Sequence, residues 1–173
     1  MTFEQSYTNY KDLVYNLALQ YLQNTADAEE ITQDVFLSVY QNLNQFEGKA
    51  TLKTWIYRIT INKSLDFIKA KSRNKRSFFF TSKRLDDPDT PIIVSHFDHP
   101  GILMEQEEEM SKIFACINAL PERQKTALIL MKIENKTQQE TATIMKSTVK
   151  SVESLYQRAK KNLKEKLALN EGK

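Results

Sequence analysis

Helix breakers are few in this chain, and they are gathered in one place. Three of the four prolines, Pro88, Pro91 and Pro100, fall close together beside Gly101, one of only three glycines. Proline removes a backbone donor and glycine gives up the most conformational freedom on ordering, so such a cluster ends regular structure. Helical periodicity runs on either side of it. The expected fold class is therefore all-α, with helices on both sides of a linker, and 173 residues suffice for one domain or two small ones.

The N-terminal half opens with a clear stripe. Phe3, Tyr7, Tyr10, Val14, Leu17 and Tyr21 are separated by four, three, four, three and four residues, which puts them on one face of a helix. Asn24 or Thr25 offers an N-cap for a second helix, about 26–43, with Ile31, Val35, Val39 and Leu43 inward. Its other side carries Asp27, Glu30 and Asp34. Acidic residues in a first turn complement the helix dipole, which accounts for Asp27 and Glu30 but not for Asp34, two turns in. A short loop containing Gly48 leads to a third helix, roughly 51–75.

That loop and helix are aromatic and basic at once. Phe46, Trp55, Tyr57 and Phe67 alternate with Lys49, Lys53, Arg58, Lys63, Lys69, Lys71, Arg73, Lys75 and Arg76. At one hundred degrees per residue, Arg58, Asn62 and Lys69 share one edge, and Leu52, Ile56 and Ile59 share a neighbouring arc suited to a core. Rings beside cations suit unpaired bases, which stack. Trp55, Ile56 and Ile59 serve equally well as plain core, so this stretch alone leaves both readings open.

Beyond the linker, helices are expected at 104–118 and 122–134, with Pro121 in the first turn of the latter. Asn135-Lys136 marks a turn. Thr137-Gln138-Gln139-Glu140 is a capping box that opens a short helix ending near Lys146. Ser147 can cap a last helix, 148 to about 167. These two helices have helix-turn-helix spacing, with Ala142 at their contact and Met145, Val152 and Leu155 as shared core. Lys150, Glu153, Ser154, Gln157, Arg158 and Lys161 then face outward and suit a major groove, while Lys160, Lys161, Lys164 and Lys166 suit phosphates.

Charge is segregated. Residues 69–85 carry seven basic and no acidic side chains, residues 86–109 eight acidic and no basic, and residues 110–173 thirteen basic and six acidic. Three glycines cannot supply a dinucleotide fingerprint or a Walker-type phosphate loop. His96 and His99 have no cysteine partner nearby, and Cys116 is the only cysteine, so neither a metal site nor an internal disulfide is expected. No catalytic frame is recognisable, and no cofactor is implied. No signal peptide or bilayer-spanning run is present, which points to the cytoplasm.

Taken in order, AEEITQDVF (28–36), Phe46-x-Gly48, TWIYRITIN (54–62), LPERQ (120–124) and the hairpin at 137–163 resemble a bacterial sigma factor of the extracytoplasmic-function group. The resemblance covers nearly the whole chain. It implies a region 2-like domain at 1–76 that binds RNA polymerase core and melts the −10 element, a linker at 77–103, and a region 4-like domain at 104–173 that reads the −35 element. By similarity, Glu30, Gln33 and Asp34 dock on the clamp helices of the largest polymerase subunit. Phe46, Lys49, Lys53, Trp55, Arg58 and Asn62 match the part that captures a base flipped from the non-template strand. Lys150, Glu153, Ser154, Gln157, Arg158 and Lys161 match the −35 reader. Glu153 and Leu155 stand where many members place arginines. Promoter DNA, polymerase core and an anti-sigma protein are the implied partners, with no small-molecule substrate and no membrane insertion. The acidic run at 86–109 is a candidate nucleic-acid mimic. The alternative is a conventional helix-turn-helix regulator that binds duplex as a dimer without core enzyme.

Overall fold

The computed structural model describes residues 2–82 and 104–171. Seven α-helices make up the described architecture, in the order α1 (Phe3–Leu22), α2 (Thr25–Asn42), α3 (Leu52–Ser82), α4 (Met104–Asn118), α5 (Glu122–Leu128), α6 (Gln138–Ile144) and α7 (Val149–Glu171).

Local chemistry sets the boundaries. Thr2 caps α1 through a capping box with Gln5, and Gln23 ends that helix in the left-handed region, φ 52°. Asn24 accepts the amide of Asp27 and so starts α2. A single 3₁₀ turn, Leu43–Gln45, then leads into the loop. Gly48 sits at φ +68°, a conformation that glycine adopts without strain. α3 continues to Ser82, past the expected end near Lys75, because no proline interrupts it before Pro88. The Phe78–Phe80 triplet therefore belongs to a helix. The Pro-rich segment, with the acidic residues before position 104, lies outside the described residues.

In the second half α4 ends where its sequence predicts. The expected single helix from 122 to 134 does not hold its register. Pro121 stands at the N-cap of α5, and after Leu128 the backbone widens into a π-helical turn, Ile129–Ile133. The amide of Glu134 reaches back to the carbonyl of Ile129 at 2.9 Å, and Asn135 takes φ 51°. The capping box of α6 is formed as expected: Thr137 Oγ1 accepts the Glu140 amide at 3.2 Å, and Glu140 Oε2 accepts the Thr137 amide at 2.8 Å. That backbone bond, aided by the Thr137 hydroxyl, holds the Glu140 carboxyl below the usual carboxylate range. Its stabilisation is present above that range and is lost as the pH falls through the lowered value. Replacing Thr137 by alanine is expected to cost about 1 kcal/mol, read as a lower midpoint in urea denaturation with unchanged slope. The cap of α7 is Thr148, whose hydroxyl accepts the Ser151 amide at 3.2 Å. Ser147, the expected cap, instead accepts a hydrogen bond from Arg123 at 3.2 Å.

Two apolar cores result. Val14, Ala18, Leu19, Ala28, Ile31, Val35, Phe36, Val39 and Ile56 pack α1, α2 and α3 together. Leu17, Tyr21, Tyr57 and Ile61 face away from that core and join Phe114, Ile117, Leu120, Leu128, Ile129, Leu130, Ile144 and Ala159. Helical geometry makes this possible. Leu17 and Tyr21 are one turn apart and about sixty degrees round the helix from Val14 and Ala18, while Ile56 and Tyr57 are about a hundred degrees apart. α1 and α3 thus carry two apolar stripes each, and the two halves share the second core. Sequence periodicity shows a stripe on α1 and α3 but not which partner covers it.

Candidate nucleic-acid interface

An open groove of about 850 Å³ runs between α2, the loop after it and α3. Phe46, Lys49, Trp55, Arg58 and Asn62 all line it. The Phe46 and Trp55 rings stand 5.3 Å apart at 40°. Both are half-buried: Trp55 leans on the first core beside Ile56, and its remaining face borders the groove. Lys49 pairs with Glu47 in the loop. The sequence grouping also included Lys53, but the structure sets it apart, in a second cleft with Tyr57, Lys136 and Glu140. Lys63, Asp66, Phe67 and Arg73 also line the groove, and Arg73 extends its cationic rim about three turns beyond Lys63 along α3.

Glu30, Gln33 and Asp34 are exposed on α2. Asp34 borders the same groove and lies 3.7 Å from Lys63. Asp27 holds Lys71 at 2.5 Å. The acidic stripe is thus partly tied to α3, and its middle member, Glu30, faces solvent.

Arg58 does not reach freely into the groove. Its Nε donates to the Ile144 carbonyl at 3.1 Å and its Nη2 to the Thr143 carbonyl at 2.6 Å, both at the end of α6. Next to it, the Tyr57 hydroxyl donates to Glu134 Oε2 at 2.8 Å. Gln20 Nε2 donates to Glu134 Oε1 at 2.7 Å, and the Tyr21 hydroxyl to Thr126 Oγ1 at 2.9 Å. Burial pushes both phenols up, and the Glu134 carboxylate adds to the effect at Tyr57 and Tyr21. None of these contacts has a local sequence signal, since the partners lie 77 or more residues away.

Lys125, in the LPERQK run, is buried. Its ammonium lies 5.4 Å from the Tyr21 ring centroid and 3.3 Å from Asn118 Oδ1. Burial pushes its pKa down to about 8, with Glu122 opposing. Between that value and the ordinary 10.5 the unfolded chain holds the proton that the folded chain has lost, so the fold gains stability as pH rises through that window.

The helix-turn-helix face is laid out as expected. Lys150, Glu153, Ser154, Gln157, Arg158 and Lys161 are all exposed on α7, while Val152 and Ala159 are fully buried beneath. Lys160 and Lys164 point elsewhere. They rim a separate groove with Leu128, Lys132 and Tyr156, and Lys160 lies 4.9 Å from the Tyr156 ring centroid. Among the described residues no group of His, Cys, Asp and Glu could hold a metal ion. His96 and His99 lie outside them. No helix among the described residues is long and apolar enough to cross a membrane.

The two halves match known families separately. A model for sigma-70 region 2 covers residues 6–74, and one for sigma-70 region 4 covers residues 110–163. The RNA polymerase sigma-H factor of Pseudomonas aeruginosa is 25% identical over 158 residues, 91% of this chain and 82% of that protein. The ECF RNA polymerase sigma-E factor of Escherichia coli is 27% identical over the same length and shares. The sigma factor RpoE of Bartonella quintana, solved in complex with the anti-sigma factor NepR, has the same fold. Its TM-score is 0.67 at 20% identity, and the match covers 96% of each chain. Two sigma-70 matches in the correct order, and relatives aligned almost end to end, make this chain a member of the sigma-70 family of RNA polymerase sigma factors, in its extracytoplasmic-function group.

Proposed function

We propose that this sigma factor divides promoter recognition between a groove for an opened strand and a helix for closed duplex. The observation that carries the proposal is the Phe46–Trp55 ring pair in a groove shared with Arg58 and Asn62. A base flipped out of the −10 element costs a few kcal/mol of lost stacking. Aromatic faces return about 1–3 kcal/mol per base, and the cations along α3 hold the backbone. Phe46, Lys49, Trp55, Arg58 and Asn62 make up this strand site, with Lys53 on its flank.

α7 enters the major groove of the −35 element with Lys150, Glu153, Ser154, Gln157, Arg158 and Lys161. Arg158 fits guanine, Gln157 adenine and Glu153 a cytosine amino group. Arg158→Ala is expected to lose about 1–3 kcal/mol of discrimination at one or two base positions. Binding measured across single-base variants of the −35 element checks this, and a uniform loss at every position would mark Arg158 as a phosphate contact.

Glu30, Gln33 and Asp34 dock on the clamp helices of polymerase core. The chain works in the cytoplasm and makes or breaks no covalent bond, since RNA synthesis belongs to the polymerase. An anti-sigma protein is a further partner, in line with the RpoE relative solved with NepR. Transcription in vitro with purified core, followed by mapping of start sites, tests the whole reading. Specific starts that depend on this chain are expected; promoter binding that is the same with and without core would favour a conventional regulator.

A further inference from the structure

One set of contacts is not explained by promoter recognition. It lies between the two halves, and it is polar and well paired. Arg58 gives two N–H groups to the carbonyls of Thr143 and Ile144. These carbonyls end a helix, where the backbone carries partial negative charge, and the Thr143 carbonyl also takes the Lys146 amide at 3.3 Å. A guanidinium fork meets there the kind of acceptor pair that a phosphate or a base edge offers. Glu134 spends both carboxylate oxygens across the same boundary, one on Tyr57 and one on Gln20. The π-helical turn at 129–133 sets its position. Tyr21 with Thr126, and Lys69 with Glu122 at 3.0 Å, add two more bonds of the same kind. A cleft of about 250 Å³ between the halves is bordered by Arg58 and Asn62 on one side and by Arg123, Met145 and Lys146 on the other.

We propose that these contacts form an autoinhibitory latch, in which the end of α6 occupies Arg58 in place of nucleic acid. It rests on the reading of Arg58 as a strand-facing cation. Closure spends two of the five guanidinium N–H groups on α6 and turns that fork toward the cleft between the halves, so closure and strand capture compete for Arg58. Phe46 and Trp55 remain open to solvent in the closed form, so the latch withholds only the Arg58–Asn62 end of the groove. Glu134 is the residue through which the latch can be tested, because it lies outside the strand site and outside the outward face of α7.

The experiment uses the full chain, free of polymerase. Small-angle scattering gives the distribution of interatomic distances, and fluorescence anisotropy gives the affinity for a −10 non-template single strand. Wild type is expected to scatter as one closed population. Glu134→Ala is expected to extend the distribution and to tighten strand binding by up to about tenfold, the limit reached when a closed state populated ten to one binds no strand. Glu165→Gln, which removes one negative charge away from the interface, is expected to do neither. If Glu134→Ala loses helical signal in circular dichroism, Glu134→Gln takes its place. It keeps the shape but has one acceptor oxygen for two donors.

A distance distribution unchanged from wild type overturns the latch. Opening without tighter strand binding also overturns it, and Arg58→Ala in the opened background then locates the fault. If that change leaves strand affinity unaltered, the strand-facing reading of Arg58 fails. If it weakens binding, that reading stands and only the competition fails. Equal tightening by Glu165→Gln overturns the latch in favour of a general charge effect.

Discussion

Promoter opening is expected to fall about 5- to 150-fold when Trp55 is replaced by alanine, with binding to polymerase core retained. The range follows from the loss of one stacked base, about 1–3 kcal/mol. Trp55 also packs on the first core and against Phe46, so its removal costs fold stability as well. Asn62→Ala separates the two effects, because Asn62 is exposed and borders the same groove. Both variants should slow open-complex formation, measured as permanganate reactivity of thymines in the bubble, and Asn62→Ala should do so with an unchanged thermal midpoint. Full reactivity with Asn62→Ala would remove that side chain from the strand site. Core binding, measured by co-migration with the polymerase, serves as the reference for both.

The second large effect is expected at α2. Glu30→Lys combined with Asp34→Lys should reduce affinity for core at least about a hundredfold, since like charges placed against each other at an interface cost several kcal/mol. Folding should survive. Asp34 and Lys63 form a solvent-exposed pair, and such pairs contribute about 0–1 kcal/mol. Glu30 is also exposed. The two energies differ enough for one assay to separate them: a melt near that of wild type beside failed co-migration with core. Normal holoenzyme formation by the double variant would move the docking surface away from this stripe.

Much of the architecture could be read from local chemistry. Asn24 and the Thr137–Glu140 box act within three or four residues, so the start of a helix is written beside it. α7 presents its outward face as the spacing of Val152 and Ala159 requires. The residues that the resemblance groups for strand capture belong to a loop and helix adjacent in sequence, and they line one groove. Lys53 is the exception, since the turn of α3 carries it into the neighbouring cleft.

What stayed hidden depends on distant partners. Arg58 and Tyr57 read as groove-edge and aromatic residues, yet both bond to the second half, 77 to 86 positions along the chain. Lys125 draws no reading from its polar run, and only the packing of Tyr21 and Asn118 shows it to be buried. The longer α3 had a usable signal in the absence of any proline before Pro88. The widened turn at 129–133 had none, because ILMKI has the composition of ordinary helix.

That widened turn accommodates a residue more than regular winding would. Deleting one of Ile129–Ile133 would let the spiral close to its normal pitch while everything downstream kept its heading, because the wide turn already absorbs the extra residue. Glu134 would still aim at Gln20 and Tyr57. The grip between the halves can therefore outlast a three-nucleotide deletion in this stretch, whereas the same loss from a regularly wound helix such as α7 would turn every later side chain by about a hundred degrees.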